Sequence, residues 1–334
     1  MGQGKRLYQI GNIRAFAIVL VVLGHCIILY SSAWGLYETE VRVPFLNVLK
    51  KIVDIPQMPI FFSLSGYLFM FTRGKNRDFV HLLKDKALRL LVPYFGIGLC
   101  FLLPIRVSIG FHSYQNMGVM DVVQKLLTSS DVGHLWFLPV LFCVFLLSEI
   151  ILTVAEKILG VKKYQEFFLC FVAFVLYLEG YRIGFGYPPL LGAFNYLLWF
   201  SLGYAINVWQ GMVKRIYGIM PLKWALVILN LILIAYSVTE GPMRVMLTLL
   251  MKVLCVVNTY GVMPEKTCKI VEKIERNSFG IYLFHSPLIY ITFANIPNAH
   301  PVIVVSINLL VFGAVAFGLT DLVRKSKLKV LIGE

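Results

Sequence analysis

Ten stretches of this chain are apolar for long enough to cross a lipid bilayer, and that pattern decides what it can fold into. They fall at roughly 12–32, 56–72, 89–109, 134–154, 166–183, 190–209, 222–238, 243–260, 278–296 and 301–322. A hydrocarbon core about 30 Å thick takes about 20 helical residues to span. Backbone amides cannot stay unpaired in lipid, so such spans are helices or a closed barrel, and runs of this length select helices. The fifth, seventh and eighth runs are short or carry polar residues. The reading is an all-α, polytopic membrane protein of about ten transmembrane helices, with 1–334 as a single integral membrane domain. Composition agrees: 59% of residues are hydrophobic and 14% charged, against about 25% charged in a soluble domain.

The net charge of +14 invites a nucleic-acid reading, and its distribution argues against one. Of the 31 Lys and Arg residues, 22 fall on one side of the alternating spans, seven on the other, and Arg14 and Lys252 within spans. The positive-inside rule then puts both termini in the cytoplasm and favours an even number of spans. The N-terminus imitates a signal peptide, but the nine spans that follow and the buried Arg14 favour a retained first helix. Arg6 stands where a myristoylation signal needs Ser or Thr. Six scattered cysteines form no CxxC pair and read as packing residues, with no metal site. P-loop, GxGxxG, HExxH and GxSxG motifs are absent.

Ionisable residues in a spanning helix are costly and tend to face a bundle interior or a wet cavity. The first helix, IGNIRAFAIVLVVLGHCIILY, carries Arg14 and His25. Eleven steps of about 100° return to nearly the same angle, so both share one face, roughly 16 Å apart along the axis. Two readings are open for them: a functional pair, or a snorkelling arginine and a packing histidine. The second span contains FFSLSGYLF at 61–69, where Ser63, Ser65 and Gly66 suit close helix packing and Pro56 and Pro59 disrupt the helix start. The basic segment after it holds Arg73, Arg77, Lys86 and Arg89, read either as ordinary inner-side charge or as a clamp for an anionic donor. His134 and Trp136 fall at the outer interface, and Tyr282 and His285 lie three apart on one face of the ninth span.

Taken together, Arg14–x10–His25, MPIFFSLSGYLF at 58–69, RLLVPYF at 89–95, HLWFL at 134–138 and SFGIYLFHSPL at 278–288 resemble the family-3 integral membrane acyltransferases, which include bacterial polysaccharide O-acetyltransferases. NYLLWFSLGY at 195–204 resembles a looser stretch of the same proteins. The resemblance runs over most of the chain. It implies ten helices and transfer of an acyl group, usually acetyl from acetyl-CoA, to a hydroxyl of a cell-surface or lipid-linked glycan such as an exopolysaccharide or capsule. His25 matches the family's essential histidine and Arg14 its arginine partner. The family's Arg-x-x-Arg pair falls on Lys86 and Arg89, and lysine keeps the charge while losing the planar fork.

A sugar hydroxyl is a poor nucleophile near neutral pH, and a neutral histidine can take its proton as it attacks a thioester. An acylated histidine relay is the alternative, and direct base catalysis is the reading preferred here. On this reading the catalytic residues are His25 and Arg14, the latter assigned to the donor phosphates or the inner half of a channel. Lys86, Arg89, Arg73 and Arg77 hold the donor, and Ser65, Trp136, Tyr282 and His285 line the substrate cavity. The partners expected are the lipid bilayer of a plasma or inner membrane, acyl-CoA and a glycan acceptor, without metal or nucleic acid. A transporter or glycan-lipid flippase is the competing reading, since intramembrane Arg and His and broken helices suit it too. A polysaccharide polymerase is weaker, because such an enzyme calls for a large outer loop.

Overall fold

The computed structural model describes residues 7–31, 39–73, 79–111, 117–158, 160, 163–183, 186–240 and 243–334, and these contain helices and no strand. Eight helices among the described residues are long and apolar enough to cross a membrane. These are α1 (Tyr8–Tyr30), α2 (Pro44–Arg73), α3 (Phe79–Ser108), α5 (Gly133–Lys157), α7 (Pro188–Val208), α9 (Met220–Thr239), α10 (Val245–Val262) and α12 (Pro301–Lys325). The remaining two apolar runs are also helical, as α6 (Gln165–Glu179) and α11 (Lys269–Asn295). Two short amphipathic helices, α4 (Val119–Thr128) and α8 (Gln210–Gly218), complete the chain.

The axis of the bundle is α11. Every residue from Gly280 to Tyr290 is buried, on all sides of the helix. A helix buried all round sits inside a bundle, not at its edge. By contrast, Asn230 is the one buried residue of α9, which turns Ile228, Leu231 and Ile232 outward as a lipid-facing helix does. Polar side chains stitch neighbouring helices together: Asn207 donates to the Tyr67 carbonyl at 2.9 Å, Asn230 to that of Met251 at 2.8 Å, and Thr292 to Asn308 Oδ1 at 2.7 Å. In lipid such bonds hold helices whose apolar faces gain little from association alone.

Proline shapes two helices in different ways. The sequence places the start of α2 at Pro56, but the helix begins at Pro44 and runs through Pro56 and Pro59. The extra turns carry Lys50 and Asp54 to the outer end. In α3, π-helical turns at Ala87–Leu91 and Gly98–Leu102 each end two residues before a proline, Pro93 and Pro104. The wider turn moves the preceding carbonyl away from the pyrrolidine ring. Arg89 sits in the first of these turns.

Two glycines set a close contact between α2 and α7. A Cβ on Gly66 of α2 would lie 1.9 Å from the Phe200 carbonyl oxygen, and one on Gly203 of α7 would lie 1.8 Å from that of Ser63. The small-residue seam read from FFSLSGYLF is therefore a backbone-to-backbone contact with α7. Gly66→Val or Gly203→Val is expected to force the helices apart and cost about 1–3 kcal/mol or more, seen as a lower melting temperature of the detergent-purified protein. Gly211→Ala, which meets nothing within 4 Å, should leave the melting temperature unchanged or raised. Equal losses in all three would contradict the seam.

Candidate active site

Arg14 and His25 both face α11, which runs parallel to α1. Arg14 Nη1 bonds Glu275 Oε1 at 2.7 Å, and His25 Nδ1 lies 3.2 Å from His285 Nε2. The residue offsets of these two contacts are 261 and 260. Two parallel helices with the same rise keep such an offset constant, so the shared face of Arg14 and His25 in α1 meets a shared face of Glu275 and His285 in α11.

The Arg14–Glu275 pair forms part of the wall of a cavity of about 400 Å³. Its mouth lies on the side carrying most of the basic residues. Lys86, Arg89, Arg276 and Glu334 join Arg14 and Glu275 in its lining, four cationic side chains against two acids. Below them the walls become largely apolar, with Phe61, Leu64, Leu68, Leu141 and Phe145, and with Ser65 and Ser278 as polar residues among them. Lys86 Nζ rests 4.0 Å from the centre of the Phe145 ring, a cation–π contact that points its charge into the cavity wall. Arg89 lies 3.5 Å from Asp85 and is well exposed. The chain folds back beside Arg89 through Gly333, whose φ of +71° suits glycine and whose added Cβ would sit 3.1 Å from the Arg89 carbonyl. Glu334 is held there by Arg324 at 2.8 and 2.9 Å.

Phe137 and Tyr282 line the cavity too, and behind them stands a cluster of three histidines. The Tyr282 hydroxyl donates to the main-chain carbonyl of His134. The His285 ring centre is 5.0 Å from that of His25 and 5.4 Å from that of His134, and the His134 ring is 5.4 Å from Tyr282. His134 and His285 are buried, while His25 keeps some accessible surface. On the outer side, Gly24 lets α2 approach: its added Cβ would be 3.1 Å from Gln57 Oε1 and 3.8 Å from Asp54 Oδ1. Asp54 is bonded by Lys50 and, at 2.6 Å, by Gln57. A polar cluster thus stands beside the residue preceding His25.

Of the residues singled out from sequence, Arg14, Ser65, Lys86, Arg89 and Tyr282 come together around one cavity. His25 and His285 pair one layer beyond it. Arg73 is placed elsewhere: it reaches Glu149 at 3.3 Å, Glu156 at 3.2 Å and Gln165 at 2.9 Å, tying α2 to α5 and α6. Trp136 packs on Tyr196, with ring centres 5.2 Å apart, and does not line the cavity. Arg77 lies outside the described residues. Sequence reasoning missed Glu275, which stands ten residues before His285 as Arg14 stands eleven before His25. That matching spacing was the available signal. His134, expected at the outer interface, is instead buried with its Nε2 3.1 Å from the Leu283 carbonyl and its Nδ1 without a hydrogen-bond partner among the described residues.

Comparison with protein families matches residues 7–322 to the family described as an acyltransferase domain. The chain belongs to this acyltransferase family. Comparison with characterised proteins and with solved structures finds no match. Family membership and the apolar helices together make the chain a multi-pass membrane acyltransferase.

The Arg14–Glu275 bridge is partly exposed, so its contribution to stability is expected to be about 1 kcal/mol or less. In a double-mutant cycle of Arg14→Gln and Glu275→Gln, the double variant should melt no lower than the worse single variant. Fully additive losses would show that the two side chains act independently.

Proposed function

We propose that this acyltransferase moves an acetyl group from acetyl-CoA to a hydroxyl of a cell-surface or lipid-linked glycan at the plasma membrane. The observation that carries the reading is the continuity of one site. A cavity with an excess of cationic side chains at its mouth narrows between apolar walls to Tyr282, and Tyr282 packs against His134 and against His285, the partner of His25.

Each part suits one part of such a reaction. Phosphates bind well to Lys and Arg, and Arg can make two parallel hydrogen bonds to them. Lys86, Arg89, Arg276 and Arg14 would hold the donor's phosphates on the cytoplasmic side. The apolar throat fits a slender acyl-bearing arm and excludes water, which protects the thioester from hydrolysis. His25 then removes the acceptor proton as the hydroxyl oxygen attacks the thioester carbonyl. The carbon–oxygen bond forms, the carbon–sulfur bond breaks, and the thiolate leaves and is reprotonated by the imidazolium. Cells supply the donor from the cytoplasm, and the outer polar cluster around Asp54 lies on the opposite flank of His25, where a glycan hydroxyl would enter.

His25→Ala, at matched membrane expression, is expected to abolish glycan O-acetylation measured by NMR while glycan export continues. Retained acetylation would remove His25 from the chemistry, and glycan trapped inside the cell would favour a transporter. Lys86→Gln and Arg89→Gln are each expected to raise the KM for acetyl-CoA about 10-fold with kcat little changed, and the effect should shrink as ionic strength rises. Unchanged KM in both would place the donor elsewhere.

A further inference from the structure

We propose that His25 reacts through Nε2, and that His285 is a positioning residue that holds the His25 ring and stabilises the imidazolium formed there. The inference rests on the proposed role of His25 as base. It comes from hydrogen-bond logic at two rings.

His285 Nδ1 lies 2.9 Å from the Ile281 carbonyl oxygen and 2.8 Å from that of Tyr282. A carbonyl only accepts, so His285 Nδ1 carries the proton. In neutral His285 the other nitrogen, Nε2, then bears a lone pair. That lone pair faces His25 Nδ1 at 3.2 Å. His25 Nδ1 also lies 2.9 Å from the Val21 carbonyl, a second acceptor. Both neighbours require the proton of His25 to sit on Nδ1. The lone pair of His25 is therefore on Nε2.

The main-chain bond alone would favour this tautomer, so the contribution of His285 is chiefly to orientation and charge. The two rings meet edge to face, with an interplanar angle of 67°, and the Nδ1–H is shared between a carbonyl on α1 and a ring on α11. That second anchor stops the imidazole from swinging about its own helix. When Nε2 takes the acceptor's proton, His25 becomes an imidazolium whose Nδ1–H already points at a lone pair. Stabilising that cation lowers the barrier, as a carboxylate does in a Ser-His-Asp triad. A neutral imidazole is a weaker acceptor than a carboxylate, but it needs no buried charge in the membrane interior.

The test uses the full-length protein in detergent or nanodiscs. Histidine-labelled NMR of the wild type reads the tautomer, because protonated and bare ring nitrogens resonate apart; the His25 signals are assigned by their loss in His25→Ala. The result expected is a proton on Nδ1 of His25. A proton on Nε2 would overturn the assignment while leaving His25 free to act as base in the other tautomer, so this failure is distinct from retained acetylation in His25→Ala. Kinetics read the second half. His285→Phe keeps a buried ring without the lone pair, and kcat should fall about 100-fold with the KM for acetyl-CoA unchanged. His285→Gln, whose amide oxygen can accept from His25, should recover at least about tenfold of that loss. A kcat within threefold of wild type in His285→Phe would overturn the proposal, and so would equal losses in the Phe and Gln variants.

Discussion

Ionisable groups in a membrane interior must find partners, and that requirement organises this protein around one helix–helix seam. An ionisable group there is disfavoured most where water cannot reach it. Arg14 and Glu275 meet each other, and the ring nitrogens of His25 and His285 come within 3.2 Å a few turns further along. Both contacts lie between α1 and α11, whose parallel course keeps them in register. The longest unbroken run of buried residues among those described, Gly280–Tyr290, is the part of α11 that carries the histidine. The surrounding helices can be seen as the packing that holds this seam away from lipid, with the α2–α7 glycine contact as one close part of that packing.

The seam also separates two environments. Toward the basic side it borders an open cavity with charged walls at the mouth, and beyond Tyr282 it holds a largely buried group of imidazoles. Tyr282 is the element common to both, since it lines the cavity and donates to the His134 carbonyl on α5. Under the proposed function, a donor arm coming from the mouth meets Tyr282 before it meets His25. Displacing that side chain breaks its hydrogen bond to a main-chain carbonyl and its ring contacts with Phe137 and His134.

Much of this was legible in the sequence. Length and hydropathy of the runs were enough for an all-α bundle, because lipid leaves the backbone few alternatives. Periodicity placed Arg14 and His25 on one face, and positions 65, 86, 89 and 282, from three different helices, gather around a single cavity. What was not legible depends on long-range packing. Arg73 belongs to the same basic run as Lys86, yet its carboxylate partners Glu149 and Glu156 lie on another helix and draw it away. His134 reads as an interface residue because it starts a span, but a 3-10 turn at Gly133–Trp136 turns it inward. Reading proline as a helix breaker puts the start of α2 at Pro56 and not Pro44, whereas helices in lipid tolerate proline when neighbouring groups satisfy the freed carbonyls. The Lys50–Asp54 cluster came into view only with that extension.

The most direct test is a structure of the protein with a non-reactive thioether analogue of acetyl-CoA bound. The account predicts density for the phosphates among Lys86, Arg89 and Arg276 at the mouth of the cavity. It predicts that the acyl-bearing end passes a displaced Tyr282 to lie within hydrogen-bonding range of the groups around His25 Nε2. An analogue bound outside this cavity, or one whose acyl end points away from the α1–α11 seam, would contradict it.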